Sequence, residues 1–283
     1  MDSKVFRNKG DGCKMKYTCI VVIYNLACEN SITLKSLKNI GIDNIIVCDN
    51  SVKSQIKNSN IMFCNKQSIK YLDMEGNSGL SKAYNRALKE IDADSWVVIF
   101  DQDTKIIEEY FDKLSQSICK YPEVYMHVPI VKSKNMQMSP SISKGYNVKK
   151  INHSTSGVYK DITAINSGMA VKGEVFEKTG IYNENIFLDY LDHYFVREYK
   201  NIYKKIAVFD CVIIQDYSDE DHTNYSRDLN RFEIYSKDFY EYCKDSIKGR
   251  VFYIIKILYR SVKLSILHKN IAFIKIAIKS RKK

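Results

Sequence analysis

Along its first hundred residues the chain sets short apolar runs between stretches with a helical apolar stripe. Residues 17–24, Tyr-Thr-Cys-Ile-Val-Val-Ile-Tyr, predict a buried strand because β-branched residues suit one. Ile32, Leu34, Leu37 and Ile40, stopped by Gly41, predict a helix. A second strand is predicted over residues 44–49, ending in the polar turn Asp49-Asn50-Ser51, and short strands over 61–64 and 69–72. Glu75-Gly-Asn-Ser-Gly-Leu80 then opens a helix whose stripe is Leu80, Tyr84, Ala87, Leu88 and Ile91. The run Trp96-Val-Val-Ile-Phe-Asp-Gln-Asp-Thr104 is the next strand. Strand and helix in alternation imply a parallel, doubly wound sheet.

Beyond it the pattern predicts a helix over 108–119 and a strand over 124–131. Residues 133–160 are polar and aperiodic, which reads as a long surface loop or small hairpin. One strand is predicted over 162–171 with Ser167-Gly168 inside it, then a short helix over 173–179. Residues 186–195 lead into a helix ending near residue 200, one or two strands follow over 205–214, and the chain is helical from 228 on.

At 283 residues, 45% hydrophobic and 27% charged, with three prolines, this is a globular composition and not a disordered one. Eight cysteines include no Cys-x-x-Cys pair, which argues against zinc and for a reducing compartment. Residues 1–16 are polar without an apolar core, so they predict an extension and no signal peptide. The net charge of +11 is uneven: residues 248–283 carry eleven Lys or Arg and no acid. Mixed with Val251, Phe252, Ile254 and Ile255, these cations predict basic amphipathic helices suited to an anionic membrane surface. The alternative is a helical pair packed on the domain with a solvated basic face. No recognition motif accompanies the charge, so nucleic acid is not an expected partner.

The chemistry centres on Asp101 and Asp103. In an open α/β sheet, ligands bind beyond the carboxyl ends of strands. Two carboxylates one residue apart at such an end suit one Mg²⁺ or Mn²⁺ that also meets phosphates. Asp49 ends the second strand in a polar turn, where it is either a turn aspartate or a carboxylate free to accept a ligand N–H. Asn77 and Gly79 sit in a loop that can follow ribose and phosphates, or simply cap a helix.

Val22-Ile-Tyr-Asn25, Asp49-Asn-Ser51, Gly76-Asn-Ser-Gly-Leu80, Phe100-Asp-Gln-Asp103, Ser167-Gly168, Gly180-Ile-Tyr-Asn-Glu184 and Phe187-Leu-Asp-Tyr-Leu-Asp192 occur in that order. Together they resemble the nucleotide-sugar-dependent glycosyltransferases of family 2, nearest to the bacterial rhamnosyltransferase branch. The resemblance implies a GT-A fold, which is a Rossmann-like, mostly parallel sheet flanked by helices, here with a C-terminal helical extension. It implies boundaries of 1–16 for the extension, 17–227 for the catalytic domain and 228–283 for a basic membrane-associating region. It places the nucleotide on Tyr24, Asn25, Asp49, Asn77, Gly79 and Asp101, the metal on Asp101 and Asp103, and other substrate contacts on Asp189, Ser167 and Gly168.

The resemblance also makes Asp192 the catalytic base of an inverting transfer, with Asp189 as its positioning neighbour. A carboxylate in the first turn of a helix is otherwise a favourable dipole partner. Two positions depart from the family pattern. Tyr194 stands where a further acid is common, and Gln215 where a metal-binding histidine is common. Asp216, Asp219 and His222 are nearby substitutes, whereas His127, His153, His193 and His268 show no ligand spacing. The implied donor is dTDP-L-rhamnose first, then a UDP-hexose or UDP-galactofuranose. The implied acceptor is a lipid-linked glycan of bacterial surface-polysaccharide synthesis, met at the cytoplasmic face of the cell membrane. A nucleotidyltransferase would need a Gly- and Lys-rich loop near residues 23–29, which is absent. A non-catalytic glycan- or partner-binding member is the remaining alternative.

Overall fold

The computed structural model describes residues 15–134, 136–151, 154–215 and 224–280. Strands β1 (Tyr17–Ile23), β2 (Ile45–Asp49) and β3 (Lys70–Asp73) alternate with helices α1 (Ile32–Ile40), α2 (Ser54–Lys66) and α3 (Leu80–Leu88), and β4 (Trp96–Asp101) follows. These four strands pair in parallel in the order β3-β2-β1-β4. The chain builds away from β1 on one side and then returns to its other side. That reversal opens a crevice at the carboxyl ends of β1 and β4.

Helix α4 (Tyr110–Lys120) leads to β5 (Met126–Ser133). The sheet continues through β11 (Met169–Lys172), β5, β12 (Ile206–Ile214) and β9 (Gly157–Tyr159), with β6 (Met136–Ser139) added to β5. It is therefore mixed: β11 runs antiparallel to both β4 and β5. Alternate residues of β1 explain its two coverings. Ile20 and Val22 face α3 together with α5 (Glu174–Thr179) and α6 (Leu191–Ile202), whereas Cys19, Val21 and Ile23 face α1 and α4.

Three segments differ from the sequence-based expectation. Residues 61–64 belong to α2 and are no strand. Asn60 and Cys64 point inward at helical spacing while Met62 is exposed, and a four-residue apolar run does not distinguish the two structures. Residues 133–160 are not one long loop: they contain a small hairpin, the other expectation, with further strands on either side of it. They give β6, β7 (Ser141–Lys144), β8 (Asn147–Lys150) and β9; β7 and β8 pair with β10 (Ile162–Thr163) in a second, three-stranded sheet. The single strand expected over 162–171 is thus split between two sheets, with a turn at Gly168.

The chain ends in α7 (Tyr225–Cys243), α8 (Ile247–Leu267) and α9 (Ala272–Lys279), which share a core of Phe232, Phe239, Tyr253, Ile257 and Phe273. A boundary at 227/228 falls in the first turn of α7. No helix among the described residues is long and apolar enough to cross a membrane.

Candidate active site

At the switch point lies a cavity of about 650 Å³. Tyr24, Asn77, Gly79, Asp101, Asp103, Ser167, Asp189 and Asp192 all line it. Asp101 is the last residue of β4 and Gln102-Asp103 turns away from it. The turn is fixed from α1: Ser31 Oγ donates to the Gln102 carbonyl at 2.6 Å, and Thr33 Oγ1 donates to the Asp101 carbonyl. The Gln102 side chain accepts from the Tyr24 amide at 2.8 Å, which ties the ends of β1 and β4 together.

Gln215, just after β12, reaches the same two carboxylates. Its Nε2 donates to Asp101 Oδ2 at 2.9 Å and stands 3.5 Å from Asp103 Oδ1, while its buried Oε1 has no donor among the described residues. Ser167 Oγ also donates to Asp101 Oδ2. An unsatisfied buried oxygen is costly. Turned end for end, the amide would place that oxygen toward the two carboxylates, and an all-oxygen set of this kind suits Mg²⁺ or Mn²⁺. The residues therefore fit a hard divalent ion, although no group of three His, Cys, Asp or Glu side chains meets among the described residues. Asp216, Asp219, His222 and His153 lie outside them.

The other side of the cavity is the segment from Phe187 to Asp192. Asp238 of α7 holds it: the buried carboxylate accepts from the backbone amides of Phe187, Leu188 and Asp189, each at 2.8 Å. Arg231, two turns earlier on the same helix, makes a two-pronged ion pair with Asp189. Burial pushes the Asp189 carboxyl up, against the downward pull of Arg231. Tyr190 takes a left-handed backbone (φ 62°) and stacks on Tyr242 with ring centres 4.9 Å apart. Asp192 then stands in the first turn of α6, half-buried, with Oδ1 accepting from the His193 amide at 2.7 Å.

Gly79 joins the two sides. Its φ is +87°, and a Cβ there would lie 2.6 Å from the Phe187 ring and 2.8 Å from the Phe187 carbonyl. Leu80 N–H donates to that carbonyl at 2.8 Å. Met138, Ser141, Val148 and Lys150 add a wall from β6, β7 and β8, which gives the expected loop a place at the site.

Three expected contacts are not brought to the cavity. Asp49 is fully buried, and its oxygens accept from the Ser51 amide, Asn60 Nδ2 and Tyr71 Oη at 2.8 to 3.0 Å. Those donors occupy the carboxylate expected to read a base, so Asp49 braces the β2 edge. Asn25 accepts from Val52 N–H at 3.1 Å and fastens the same edge. Gly168 is a packing residue: at φ +75° it lies against Ile213 and Pro129, and Tyr110 Oη donates to its carbonyl at 2.6 Å. His193, read as ordinary, does line the cavity and bonds Thr163 Oγ1 through Nδ1 at 2.8 Å. Arg231 and Asp238 went unnoticed in the sequence. The available signal was two charges seven residues apart within the aromatic stripe of α7.

Comparison with known proteins adds the family. The sequence profile of glycosyl transferase family 2 matches residues 18–179, more than half of the chain. The chain belongs to glycosyl transferase family 2. It is 27% identical over 154 residues to the dTDP-rhamnosyl transferase RfbF of Shigella flexneri, covering 52% of this chain and 51% of RfbF. It is 25% identical over 247 residues to the low-salt glycan biosynthesis hexosyltransferase Agl10 of Haloferax volcanii, covering 78% and 73%. The match thus spans about half of RfbF. Among solved structures, GalNAc-T7 with UDP, GalNAc and Mn²⁺ superposes with a TM-score of 0.57 at 12% identity, over 76% of this chain and 45% of that one. Staphylococcus aureus TarS 1–349 with UDP-GlcNAc gives 0.52 at 17%, over 80% and 67%. At such identities these likenesses concern the fold, and it is the GT-A arrangement expected from the motifs.

Proposed function

We propose that this chain transfers a sugar, with inversion, from a pyrimidine nucleotide donor to a hydroxyl of a lipid-linked glycan. The observation that carries the reading is one cavity at the switch point whose walls hold Asp101, Asp103 and Gln215 on one element set and Asp192 on another. The donor's diphosphate lies by Asp101, Asp103 and Gln215, and Asn77 and Gly79 run along it. A divalent ion bound there would offset charge on the leaving diphosphate. Asp192 takes the acceptor hydroxyl proton as that oxygen attacks the anomeric carbon from the face opposite the diphosphate. The new C–O bond forms, the bond to the diphosphate breaks, and its electron pair leaves with the nucleoside diphosphate.

dTDP-L-rhamnose is the first-choice donor, which the likeness to a dTDP-rhamnosyl transferase supports. The hexosyltransferase relative keeps UDP-hexoses, with UDP-galactofuranose, as the second choice. The working place is the inner surface of a bacterial cell membrane. Ile247, Val251, Ile255, Tyr259, Val262 and Ile266 form an outward apolar stripe on α8, flanked by Arg250 on one side and Lys256 and Lys263 on the other. Such a face matches anionic lipid in both polarity and charge.

The test pairs two variants with two readouts. Asp192→Asn is expected to bind donor normally and to lose transfer by about 10²–10⁴-fold, the usual worth of a general base. Asp103→Asn is expected to lose both transfer and metal-dependent donor binding while melting like the parent. Full transfer by either variant refutes its role. Donor binding without turnover on any acceptor would favour a non-catalytic binding protein.

A further inference from the structure

A second cavity, about 370 Å³, opens between the tip of the β7–β8 hairpin, Tyr190 and the helices α7 and α8. It has Val148 and Tyr190 as walls in common with the cavity that holds Asp192. Lys256, Arg260 and Lys263 line it from one face of α8, at spacings of four and three residues, and none of its lining residues is acidic. Among the described residues, none of these three cations forms an ion pair. Arg260 Cζ lies over the Tyr235 ring, 3.9 Å from its centre, and Lys256 Nζ lies 5.5 Å from the centre of the Phe252 ring. Arg260 also acts on Asp189 from a distance, but that carboxylate is paired with Arg231. Three cations without an ion-pair partner among the described residues, in a partly enclosed, aromatic-walled space, repel one another, and a multivalent anion relieves that repulsion. On its outer side the cleft borders the apolar stripe at Tyr259.

We propose that this cleft binds the phosphate or diphosphate that joins the acceptor glycan to its lipid carrier. The proposal rests on the reading above and adds a recognition site to it. The sugar end of the acceptor passes Val148 and Tyr190 to reach Asp192, the acidic ester sits among Lys256, Arg260 and Lys263, and the hydrocarbon leaves along the stripe of α8. Selection of the acceptor then begins at its charged linkage and not only at its sugar.

The experiment uses the full chain and a short, water-soluble probe, octyl diphosphate, titrated calorimetrically with and without saturating dTDP. The variant is Lys256→Gln with Lys263→Gln; both side chains are exposed, and thermal melting checks the fold. Octyl diphosphate is expected to bind the parent even with dTDP present. In the double variant its Kd should rise about tenfold or more, as for loss of charge-assisted bonds, with dTDP affinity unchanged. Equal affinity for the probe in both proteins, or displacement of the probe by dTDP, overturns the proposal. So does a loss confined to sedimentation with vesicles of about one third phosphatidylglycerol in phosphatidylcholine, because the lysines would then serve bulk headgroups. Failure of both dTDP and UDP to bind the parent would instead overturn the pyrimidine-donor reading and leave the probe's result to stand by itself; if only UDP binds, it replaces dTDP in the competition arm.

Discussion

Replacing Gly79 by alanine tests how the nucleotide loop and the base-bearing segment are joined. The backbone at Gly79 has φ 87° and ψ 168°, a region open essentially to glycine. Holding alanine there costs about 1–3 kcal/mol. Its Cβ would also stand 2.8 Å from the Phe187 carbonyl oxygen, which is backbone and cannot rotate away. Relief requires the Phe187 segment to withdraw, which adds about 1–3 kcal/mol of overpacking strain. The expected sum, about 2–6 kcal/mol, is a large share of the 5–15 kcal/mol typical of a folded domain. Gly76→Ala is the control. It too has a positive φ, 124°, but its added Cβ meets nothing within 4 Å, so only the backbone cost of about 1–3 kcal/mol applies. Urea unfolding of both variants measures the difference, and donor hydrolysis reports whether Asp192 has moved. If Gly79→Ala unfolds at the same urea concentration as Gly76→Ala with kinetics unchanged, the close approach to Phe187 does not constrain the site.

Asp238→Asn leaves at most one acceptor oxygen for three backbone donors and should cost about 2–4 kcal/mol, with a drop in transfer that Asp192 geometry explains; a loss of stability alone would separate the loop from catalysis. Gln215→Ala should raise the Mg²⁺ concentration for half-maximal donor binding about tenfold, and an unchanged midpoint would show that its buried oxygen is no ligand. Burial holds the His127 imidazole down at about 4 against an ordinary 6.5. The unfolded chain therefore binds the extra proton first as pH falls, and stability declines from pH 6.5 toward pH 4 by about 3 kcal/mol, then levels off. The decline is read from denaturation midpoints across that range, and a flat profile in that window refutes it.

Much of the scaffold was legible because its signals are local. The apolar runs ending in Asp49 and Asp101, and the helical stripe from Leu80 to Leu88, each arise within a dozen residues. The Asp101-Asp103 pair stands at the end of such a run, whereas Asp192 is singled out only by the resemblance; both line the cavity, and their roles are those proposed above. What escaped depends on distance. Asp238 binds amides about 50 residues away, and nothing near it in sequence announces the partners. The cover on Asp49 is not visible locally, because Asn60 and Tyr71 come from α2 and β3, and the apolar run Ile61–Cys64 of α2 reads as a strand. The polar stretch 133–160 holds four short paired strands, and such narrow, half-exposed strands carry little apolar alternation.

The grip of α7 on the segment from Phe187 to Asp192 has a consequence for inactivation. Helices α7, α8 and α9 share a core separate from the two faces of the sheet. Such a bundle is suited to opening as a cooperative unit while the sheet persists. When it opens, Asp238 and Arg231 let go together, and Asp192, the proposed base, loses its position although the sheet remains paired. Turnover should therefore fail on heating before the strand amides lose protection from hydrogen exchange. A bilayer that bound the stripe of α8 would raise the temperature of that failure, acting as a ligand for the closed bundle.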